Sequence, residues 1–326
     1  MKMVMDMDTG IDDAIAIALA AGSTEVELLA ITSVAGNAPV ELCTRNCLLL
    51  NELLGADAVV AAGSDRPLVK NLLTAQEVHG ADGLGGHAGS LPEPTTSAID
   101  EPAFELLTRL PAEHPGEVTL VTTGPLTNIA LALRTNPDAV ASYARIIVMG
   151  GAFDVPGNTG TVAEFNVYVD PEAAALVLGS GLDITLVPLD ATTGAVLTRS
   201  ALTAHERARG LPAQRPRRDV AAILHRALDH YMDFQFDESG LDGGYMHDPL
   251  AVAAALVPDI LETRDLSVGV VTNGPDRGRT VRAPAQGHAA APGRGVHVAF
   301  GHDDGAFGRL LEERVLRPVF GARLPR

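Results

Sequence analysis

The start of the chain shows an apolar run, a polar turn and then a helical pattern. Met3 to Met5 are apolar in succession, which is typical of a buried strand. From Ile11 onwards, apolar or small residues return at helical spacing, at positions 11, 15, 18, 19 and 22. The pattern therefore predicts a strand, a tight turn at Thr9 and Gly10, and a helix.

The succession of strand, polar turn and helix recurs five times between residues 3 and 189. After the first unit, strands are predicted at 26–34, 58–62, 118–122, 145–149 and 183–189, and helices at 40–54, 101–110, 126–134 and 171–178. This repetition indicates an α/β fold with a mostly parallel, Rossmann-like central sheet flanked by helices. No internal sequence repeat divides the chain, so a single domain over residues 1–326 is predicted.

The second half of the chain is predicted to be more helical. Helices are expected at 198–209, at 219–236 and from Asp248 onwards, followed by short strands at 266–272, 279–282 and 296–300 and a closing helix near 306–316. The glycines of the long segment 63–99 disfavour regular secondary structure there. Loops of this length in compact domains are usually lids or disordered. We therefore expect a lid there, with mobile loops near 76–97 and 210–245.

Four aspartates stand close together where the first strand meets the first helix. Asp6, Asp8, Asp12 and Asp13 lie within eight positions. Asp12 can cap the helix and the positive end of the helix dipole favours Asp13, so a solvated cap explains one or two of the four. Carboxylates this close repel one another unless a cation lies among them, and oxygen ligands suit calcium or magnesium. The spacing therefore predicts a metal site, with a solvated helix cap as the alternative.

Further polar residues follow the other predicted strands. Asn37 comes after the second strand and Thr123 after the strand at 118–122. Ligands of parallel sheets bind outside the carboxyl ends of the strands, so these side chains are expected at one edge with the acids. Acids and amides together can hold a polyhydroxylated ligand beside a metal. No G-x-G-x-x-G motif follows the first strand, which disfavours a dinucleotide cofactor.

Composition narrows the classes of function and compartment. The formal charge of −17 argues against nucleic-acid binding, which needs clustered Lys and Arg. The 46% hydrophobic content supports a substantial core, whereas no apolar run approaches the ~18 residues that span a bilayer. Cys43 and Cys47, four residues apart in a predicted helix, do not form a secreted disulfide framework. A cytoplasmic protein that binds a small molecule, with no membrane partner, is expected.

These motifs resemble those of the inosine-uridine-preferring nucleoside hydrolases. The opening signature of that family, Asp-x-Asp-x-Gly-x-Asp-Asp, is met from Asp6 to Asp13, although Thr9 replaces a common proline. The other matches come in family order, to about residue 255: Asn37 after glycine, Thr123 in TGPLTN, Met149 before Gly-Gly, Asn158, Glu164 and Asn166 in Glu-Phe-Asn, and His247-Asp248-Pro249. The resemblance implies calcium-dependent hydrolysis of the N-glycosidic bond of ribonucleosides to free base and ribose.

The resemblance also implies roles for individual residues. Calcium is expected on Asp8, Asp13, Asp248 and the backbone carbonyl of Thr123, with Asp8 also accepting the proton of the attacking water. The residues that the resemblance implies at the substrate are Asp12, Asn37, Met149, Asn158, Glu164 and Asn166. Alternatively, Asn158 is a turn residue and Met149 is a core residue at the end of a strand. Relatives in the family are dimers or tetramers, so a homodimer or homotetramer is expected, with a role in purine or pyrimidine salvage.

The base side matches the family only loosely. His247 is the implied general acid, and His79, in a segment similar to the first mobile loop of the family, is implied beside the base. His87 is a less favoured substitute for His79. Tyr231 lies where a second mobile element covers the base in relatives, although an aromatic residue at helical spacing is more often part of a core. Base preference therefore stays open.

Two other functions compete with this interpretation. Asp6-Met7-Asp8-Thr9 after a strand resembles the opening motif of the aspartate-nucleophile phosphatases of the haloacid-dehalogenase type, and Asp303-Asp304 could imitate their last acidic motif. Such a site needs a lysine facing the phosphate, and the chain has only Lys2 and Lys70. A nucleoside or ribose sensor without turnover is the non-enzymatic alternative, which the presence of Asp8 and His247 disfavours.

Overall fold

An eight-stranded sheet forms the centre of the molecule in the computed structural model, which describes residues 1–86, 91–209, 219–282 and 295–320. The strands of the described residues are β1 (Lys2–Met7), β2 (Glu27–Ser33), β3 (Val59–Ala61), β4 (Val118–Thr122), β5 (Arg145–Met149), β6 (Ile184–Val187), β7 (Val196–Thr198), β8 (Gly243–Tyr245), β9 (Leu261–Leu266), β10 (Val268–Val270), β11 (Thr280–Arg282) and β12 (Val296–His302).

Helices cover both faces of this sheet. The helices of the described residues are α1 (Ile11–Ala21), α2 (Val40–Leu54), α3 (Gln76–His79), α4 (Ala103–Glu113), α5 (Thr127–Thr135), α6 (Pro137–Val140), α7 (Phe165–Val169), α8 (Pro171–Leu178), α9 (Leu189–Thr192), α10 (Arg199–Arg209), α11 (Val220–Ser239), α12 (His247–Leu256) and α13 (Asp304–Leu311). A 3₁₀ turn, Pro258–Ile260, precedes β9, and a π-helix, Glu312–Phe320, continues from α13.

The strand order places the first strand at the centre of the sheet. The order is β3-β2-β1-β4-β5-β6-β12-β9, and all neighbours pair in parallel except β12 and β9. The order reverses between β1 and β4, and such a switch point opens a crevice at the carboxyl ends of the two strands. The residues after β1 and β4, which include Asp8 and Thr123, therefore meet at this crevice.

Alternation along β1 sends neighbouring residues to opposite faces of the sheet. Met3, Met5 and Met7 belong to a core that also contains residues of α1, α2, α11 and α12. Val4 belongs to a second core, formed with residues of α4, α5 and α8. Asp6 has the parity of Val4, so its side chain lies on the face that α5 covers.

The mostly parallel sheet with flanking helices confirms the fold predicted from the sequence. The short helices α3 and α7 lie inside segments that lacked a predicted helix, and α11 occupies most of the predicted loop at 210–245. Strand β9 was missed because its sequence, LETRDL, is mostly charged and exposed and shows no apolar alternation. Residues 87–90 and 210–218 of the predicted mobile loops, including His87, lie outside the described residues. The single domain stays a prediction.

Among the residues that the structure describes, none belongs to a helix with both the length and the apolar character needed to traverse a bilayer.

Gly22 allows the end of the chain to pack against α1. A Cβ atom at Gly22 would lie 2.1 Å from the carbonyl oxygen of Arg314 in the π-helix. We expect Gly22→Ala to lower the free energy of unfolding by roughly 1–3 kcal/mol, because backbone must move to make room. A Cβ atom at Gly308, in α13, would meet no other atom within 4 Å. Gly308→Ala should therefore raise the free energy of unfolding by about 0.5–1 kcal/mol. Urea unfolding of both variants checks this, and a fully stable Gly22→Ala would contradict the packing.

Candidate active site

The turn between β1 and α1 is held together by hydrogen bonds to its carboxylates. The backbone N–H of Gly10 donates to Oδ2 of Asp13 at 2.8 Å, and the backbone N–H of Asn37 donates to Oδ2 of Asp8 at 2.7 Å. The Asn37 amide nitrogen lies between both acids, 3.2 Å from Oδ1 of Asp8 and 3.1 Å from Oδ2 of Asp13. Asn37, which follows β2, therefore orients two acids of the first turn together.

Three buried carboxylates converge beside this turn. Ligand oxygens of Asp12, Asp13 and Asp248 all lie within 4.8 Å of one another. Asp248 comes from the first turn of α12, far along the chain from the other two. Burial, followed by the charge of Asp13, raises the pKa of Asp12 to about 7, and burial with the charges of Asp12, Asp13 and Asp8 raises that of Asp248 well above its usual range. These shifts express the cost of holding like charges together away from water.

The oxygen atoms of this cluster fit a hard divalent cation. Carboxylates are the ligands that calcium and magnesium prefer, and a cation among them would offset the repulsion that raises their pKa values. The hydroxyl of Thr123, at the end of β4, donates to Oδ1 of Asp13 at 2.7 Å. Asp8 lies outside the tightest set, but Asn37 links it to Asp13 and its own pKa is raised by burial and by the charge of Asp13.

Asp6 lies behind the cluster, on the opposite face of β1. Its Oδ1 accepts hydrogen bonds from the Thr32 hydroxyl at 2.5 Å and from the Asn128 amide at 2.8 Å. Asn128 also donates to the carbonyl of Ser33 at 2.9 Å. Burial raises the pKa of Asp6 to about 6. Asp6 therefore ties β1 to β2 and α5, and does not contribute to the convergent set.

Polar groups from β4, β5 and α7 meet on the other side of the cluster. The Asn166 amide donates to the backbone carbonyl of Thr123 at 2.7 Å and to the sulfur of Met149 at 3.5 Å. Glu164 caps α7, accepting from the backbone N–H groups of Asn166 and Val167 at 2.8 and 3.1 Å. It also accepts from Gly151 at 3.0 Å, so both of its oxygens are fixed by backbone donors.

A cavity of about 410 Å³ opens above these groups. The predicted site residues that line it are Asp12, Asn37, His79, Thr123, Met149, Asn158, Glu164, Asn166, Tyr231, His247 and Asp248. Asp8 and Asp13 are fully buried and do not line it, so they lie beneath its floor. Asn158 is exposed at the rim, where its Oδ1 accepts from the backbone N–H of Phe165 at 2.9 Å. Apart from His87, which lies outside the described residues, the predicted site residues thus either line one cavity or contact residues that line it.

His79 is held in one orientation at the far side of the cavity. The backbone N–H of Ile11, the first residue of α1, donates to its Nδ1 at 3.1 Å. Because Nδ1 accepts, the neutral ring carries its hydrogen on Nε2. The ring stacks on Tyr231 with centroids 6.1 Å apart. Burial, followed by the electrostatic influence of the nearby His230 and His247 rings, lowers the pKa of His79 to about 3.

His247 begins α12 next to the carboxylate Asp248. Its Nδ1 lies 2.7 Å from the hydroxyl of Thr192, and its ring stacks on Tyr245 with centroids 5.3 Å apart. Burial lowers the pKa of His247 to about 4. Both histidines of the cavity are therefore neutral at physiological pH.

Several cavity residues were missed by the sequence reasoning. Phe234, Gln235 and Glu238 line the cavity from the end of α11, and Tyr245 lines it from β8. Gln235 follows Tyr231 by one helical turn, so the helical period could have indicated it. Tyr245 shows no sequence signal of its own, since its place depends on the packing of β8 beside α12.

The phosphatase alternative lacks its basic group. Lys2 pairs with Glu117 at 2.6 Å, and Lys70 pairs with Glu172 at 3.4 Å and donates to Asn273 at 3.0 Å. Neither lysine lines the cavity. Asp303 caps α13 by accepting from the backbone N–H of Ala306 at 2.9 Å. The two lysines and Asp303 that this alternative invoked are thus engaged elsewhere.

Known proteins share this sequence pattern and fold. The sequence profile described as inosine-uridine preferring nucleoside hydrolase matches residues 3–309. The pyrimidine-specific ribonucleoside hydrolase RihA of Salmonella newport is 42% identical over 276 residues, which cover 84% of this chain and 85% of the relative. An uncharacterized protein of Schizosaccharomyces pombe is 41% identical over 83% of this chain and 85% of its own length.

Solved structures agree with the sequence matches. A purine-preferring ribonucleoside hydrolase from Gardnerella vaginalis superposes with a TM-score of 0.88 at 32% identity, covering 97% of this chain and 98% of its own. A plant nucleoside hydrolase gives a TM-score of 0.86 at 33% identity, over 97% of this chain and 99% of its own. The similarity thus includes the strands and helices that carry the cavity.

Stability without metal should fall as pH rises. The pKa of Asp12 in the folded chain, about 7, lies above the ordinary value of 3.8, so folding takes up a proton between these values. That contribution is fully present below about pH 4 and is lost as pH rises through about 7. In excess chelator, we expect the melting temperature of the wild type to fall from pH 5 to pH 8 more steeply than that of Asp12→Asn. Equal slopes in the two proteins would show that Asp12 does not titrate in this range.

Proposed function

The chain belongs to the inosine-uridine preferring nucleoside hydrolase family and hydrolyses the N-glycosidic bond of ribonucleosides, and from this premise we propose a calcium-dependent mechanism centred on the buried carboxylates. The observation that carries the proposal is the convergence of Asp12, Asp13 and Asp248 within 4.8 Å at a cavity that Asp12 and Asp248 line. Buried carboxylates this close together need a cation to stay ionised together.

Asp8, Asp13, Asp248 and the Thr123 carbonyl would hold the calcium ion. Asp8 and Asp13 lie beneath the cavity and are oriented by the same Asn37 amide, which supports their assignment to the ion. Asp12 lines the cavity, which supports its assignment to a ribose hydroxyl instead. When bound, the ion lowers the pKa of a water molecule and supplies positive charge beside the ribose.

The remaining residues divide into a water side and a sugar side. Asp8 accepts the proton of the attacking water as general base, and the water oxygen bonds to C1′ as the bond between C1′ and the base nitrogen breaks. Asp12, Asn37, Asn158 and Asn166 bind the ribose hydroxyls. Glu164, a carboxylate locked by three backbone donors, favours the positive charge that develops on the sugar ring.

The electron pair of the broken bond leaves with the base. His247 and His79 lie on the cavity wall, where their ring N–H groups donate to the base as its negative charge develops. Tyr231, which stacks on His79, covers the base from the same side. The base nitrogen takes up one proton from solvent and Asp8 releases the proton that it accepted from water, which together complete the release of neutral base and ribose.

Pyrimidine ribonucleosides are the proposed preferred substrates. The 42% identical relative is named as pyrimidine-specific, whereas the structure named as purine-preferring is only 32% identical. The cavity volume of about 410 Å³ does not separate the two classes by size alone. The higher sequence identity to the relative named as pyrimidine-specific is therefore the observation that favours pyrimidine ribonucleosides as substrates.

We further propose that the protein is a cytoplasmic homodimer or homotetramer that acts in nucleoside salvage. Release of a free base from a nucleoside is the reaction that salvage requires. The assembly follows the family resemblance, and size-exclusion chromatography with light scattering measures it directly.

Substitutions of Asp8 and of Asp12 should impair the enzyme in different ways. We expect Asp8→Asn to lose calcium affinity and to lower kcat by roughly 10²- to 10⁴-fold, because it removes both a ligand and the general base. Asp12→Asn should keep calcium affinity and mainly raise KM, because it loses a hydrogen bond to ribose. Calorimetric titration with calcium and steady-state kinetics of both variants provide the measurement. Loss of calcium binding in Asp12→Asn with retention in Asp8→Asn would exchange the two assignments.

Base preference can be ranked in one assay. Purified protein with calcium is incubated with uridine, cytidine, inosine and adenosine, and free ribose and base are quantified. We expect kcat/KM for the pyrimidine nucleosides to exceed that for the purine nucleosides by at least roughly tenfold, equivalent to about 1.4 kcal/mol. Faster release from inosine would reverse the preference, and no release from any nucleoside would refute the hydrolase assignment itself.

A further inference from the structure

Thr192 is a fully buried residue that no recognised motif includes. It ends α9, which follows β6 at the carboxyl edge of the sheet. Its hydroxyl oxygen lies 2.7 Å from Nδ1 of His247, 55 residues further along the chain. The contact joins the end of α9 to the first residue of α12, so it links a sheet edge directly to the base side of the cavity.

The direction of this hydrogen bond follows from the surroundings of the hydroxyl. A threonine hydroxyl has one hydrogen to donate. Within the described ranges of the chain, Nδ1 of His247 is the sole hydrogen-bond partner of the Thr192 hydroxyl. The adjacent Thr193 instead donates to the carbonyl of Leu189 at 2.8 Å. Because an unpaired buried donor is costly, the Thr192 hydroxyl donates to Nδ1.

This direction decides which nitrogen of His247 carries hydrogen. A ring nitrogen that accepts a hydrogen bond has no hydrogen, so the neutral imidazole must carry it on Nε2. The stacked ring of Tyr245 holds the imidazole plane, with centroids 5.3 Å apart and planes 28° apart. Thr192 engages Nδ1, so the Nε2–H group is the ring donor that remains available to a ligand in the cavity.

We propose that Thr192 is a positioning residue that keeps His247 in the Nε2–H tautomer, so that the ring offers a donor to the departing base. The inference rests on the proposed role of His247 at the base. A His247 ring with hydrogen on Nδ1 would turn a lone pair towards the same position and would repel the negative charge of the leaving group.

His79 provides an independent parallel in the same cavity. The backbone N–H of Ile11 donates to Nδ1 of His79 at 3.1 Å, and a backbone N–H has no alternative role. His79 is thereby fixed as the Nε2–H tautomer. Two rings fixed in the same tautomer, one by a hydroxyl and one by a backbone amide, give the base side two donors and no competing acceptor from these rings.

Nitrogen-15 spectroscopy tests the tautomer without reference to turnover. The full chain, loaded with calcium and labelled at histidine nitrogens, is compared with His247→Asn to assign the His247 signals. We expect the Nε2–H pattern in the wild type and an increased Nδ1–H population in Thr192→Val, which replaces the hydroxyl by a methyl group of similar size. An Nδ1–H pattern in the wild type, or an unchanged tautomer in Thr192→Val, would overturn the proposal.

Kinetics separate this role from simple packing. Thr192→Val should lower kcat for uridine roughly 10- to 100-fold, the usual loss when the orienting partner of a histidine is removed, and Thr192→Ser should recover most of it. Turnover of p-nitrophenyl riboside should stay within about twofold, because nitrophenolate leaves without a donor. Thr203→Val is the control, since it removes a hydroxyl that donates to the carbonyl of Arg199 on α10.

The outcomes distinguish the two levels of inference. Equal losses for uridine and p-nitrophenyl riboside, or no recovery in Thr192→Ser, would assign Thr192 to packing and would contradict the proposal. A wild type that releases uracil while Thr192→Val is unimpaired would also contradict it but would leave the hydrolase function intact. A wild type that hydrolyses neither substrate would instead refute the proposed mechanism.

Discussion

Repulsion among buried carboxylates is the constraint on which the rest of this structure depends. Asp8, Asp12, Asp13 and Asp248 are all buried and all have raised pKa values, with burial as the largest cause. Such a cluster is tolerated only where backbone and side-chain donors hold each oxygen in place and where a cation can join. The switch point between β1 and β4 satisfies the first condition because the turns after neighbouring strands direct donors to one place.

The end of β1 at Met7 separates two kinds of aspartate that look alike in the sequence. Thr32 of β2 and Asn128 of α5 hold one oxygen of Asp6, which therefore joins the central strand to its neighbours. Asp8, two residues later and beyond the end of the strand, turns towards Asn37 and the acids of α1. Whether the aspartate lies inside the strand or beyond its end thus decides whether its carboxylate supports the fold or belongs to the site.

The sequence was sufficient for most of the fold and for one side of the site. The apolar periods predicted the parallel sheet, and the strand-end residues Asn37 and Thr123 were expected beside the acids, where they are found. Strand β9 escaped prediction because an exposed edge strand needs no apolar alternation. Thr192 and Tyr245 escaped because their places depend on contacts between elements distant in the chain. Base-side residues come from helices and short segments, whose packing no local pattern reveals.

The first turn of α1 belongs to two parts of the cavity at once. Asp12 and Asp13 extend from this turn into the acidic cluster, while the N–H of Ile11 in the same turn donates to His79 at the far side of the cavity. Three consecutive residues of one helical turn therefore hold groups of both parts. A displacement of this single turn would move the acids and the His79 ring together.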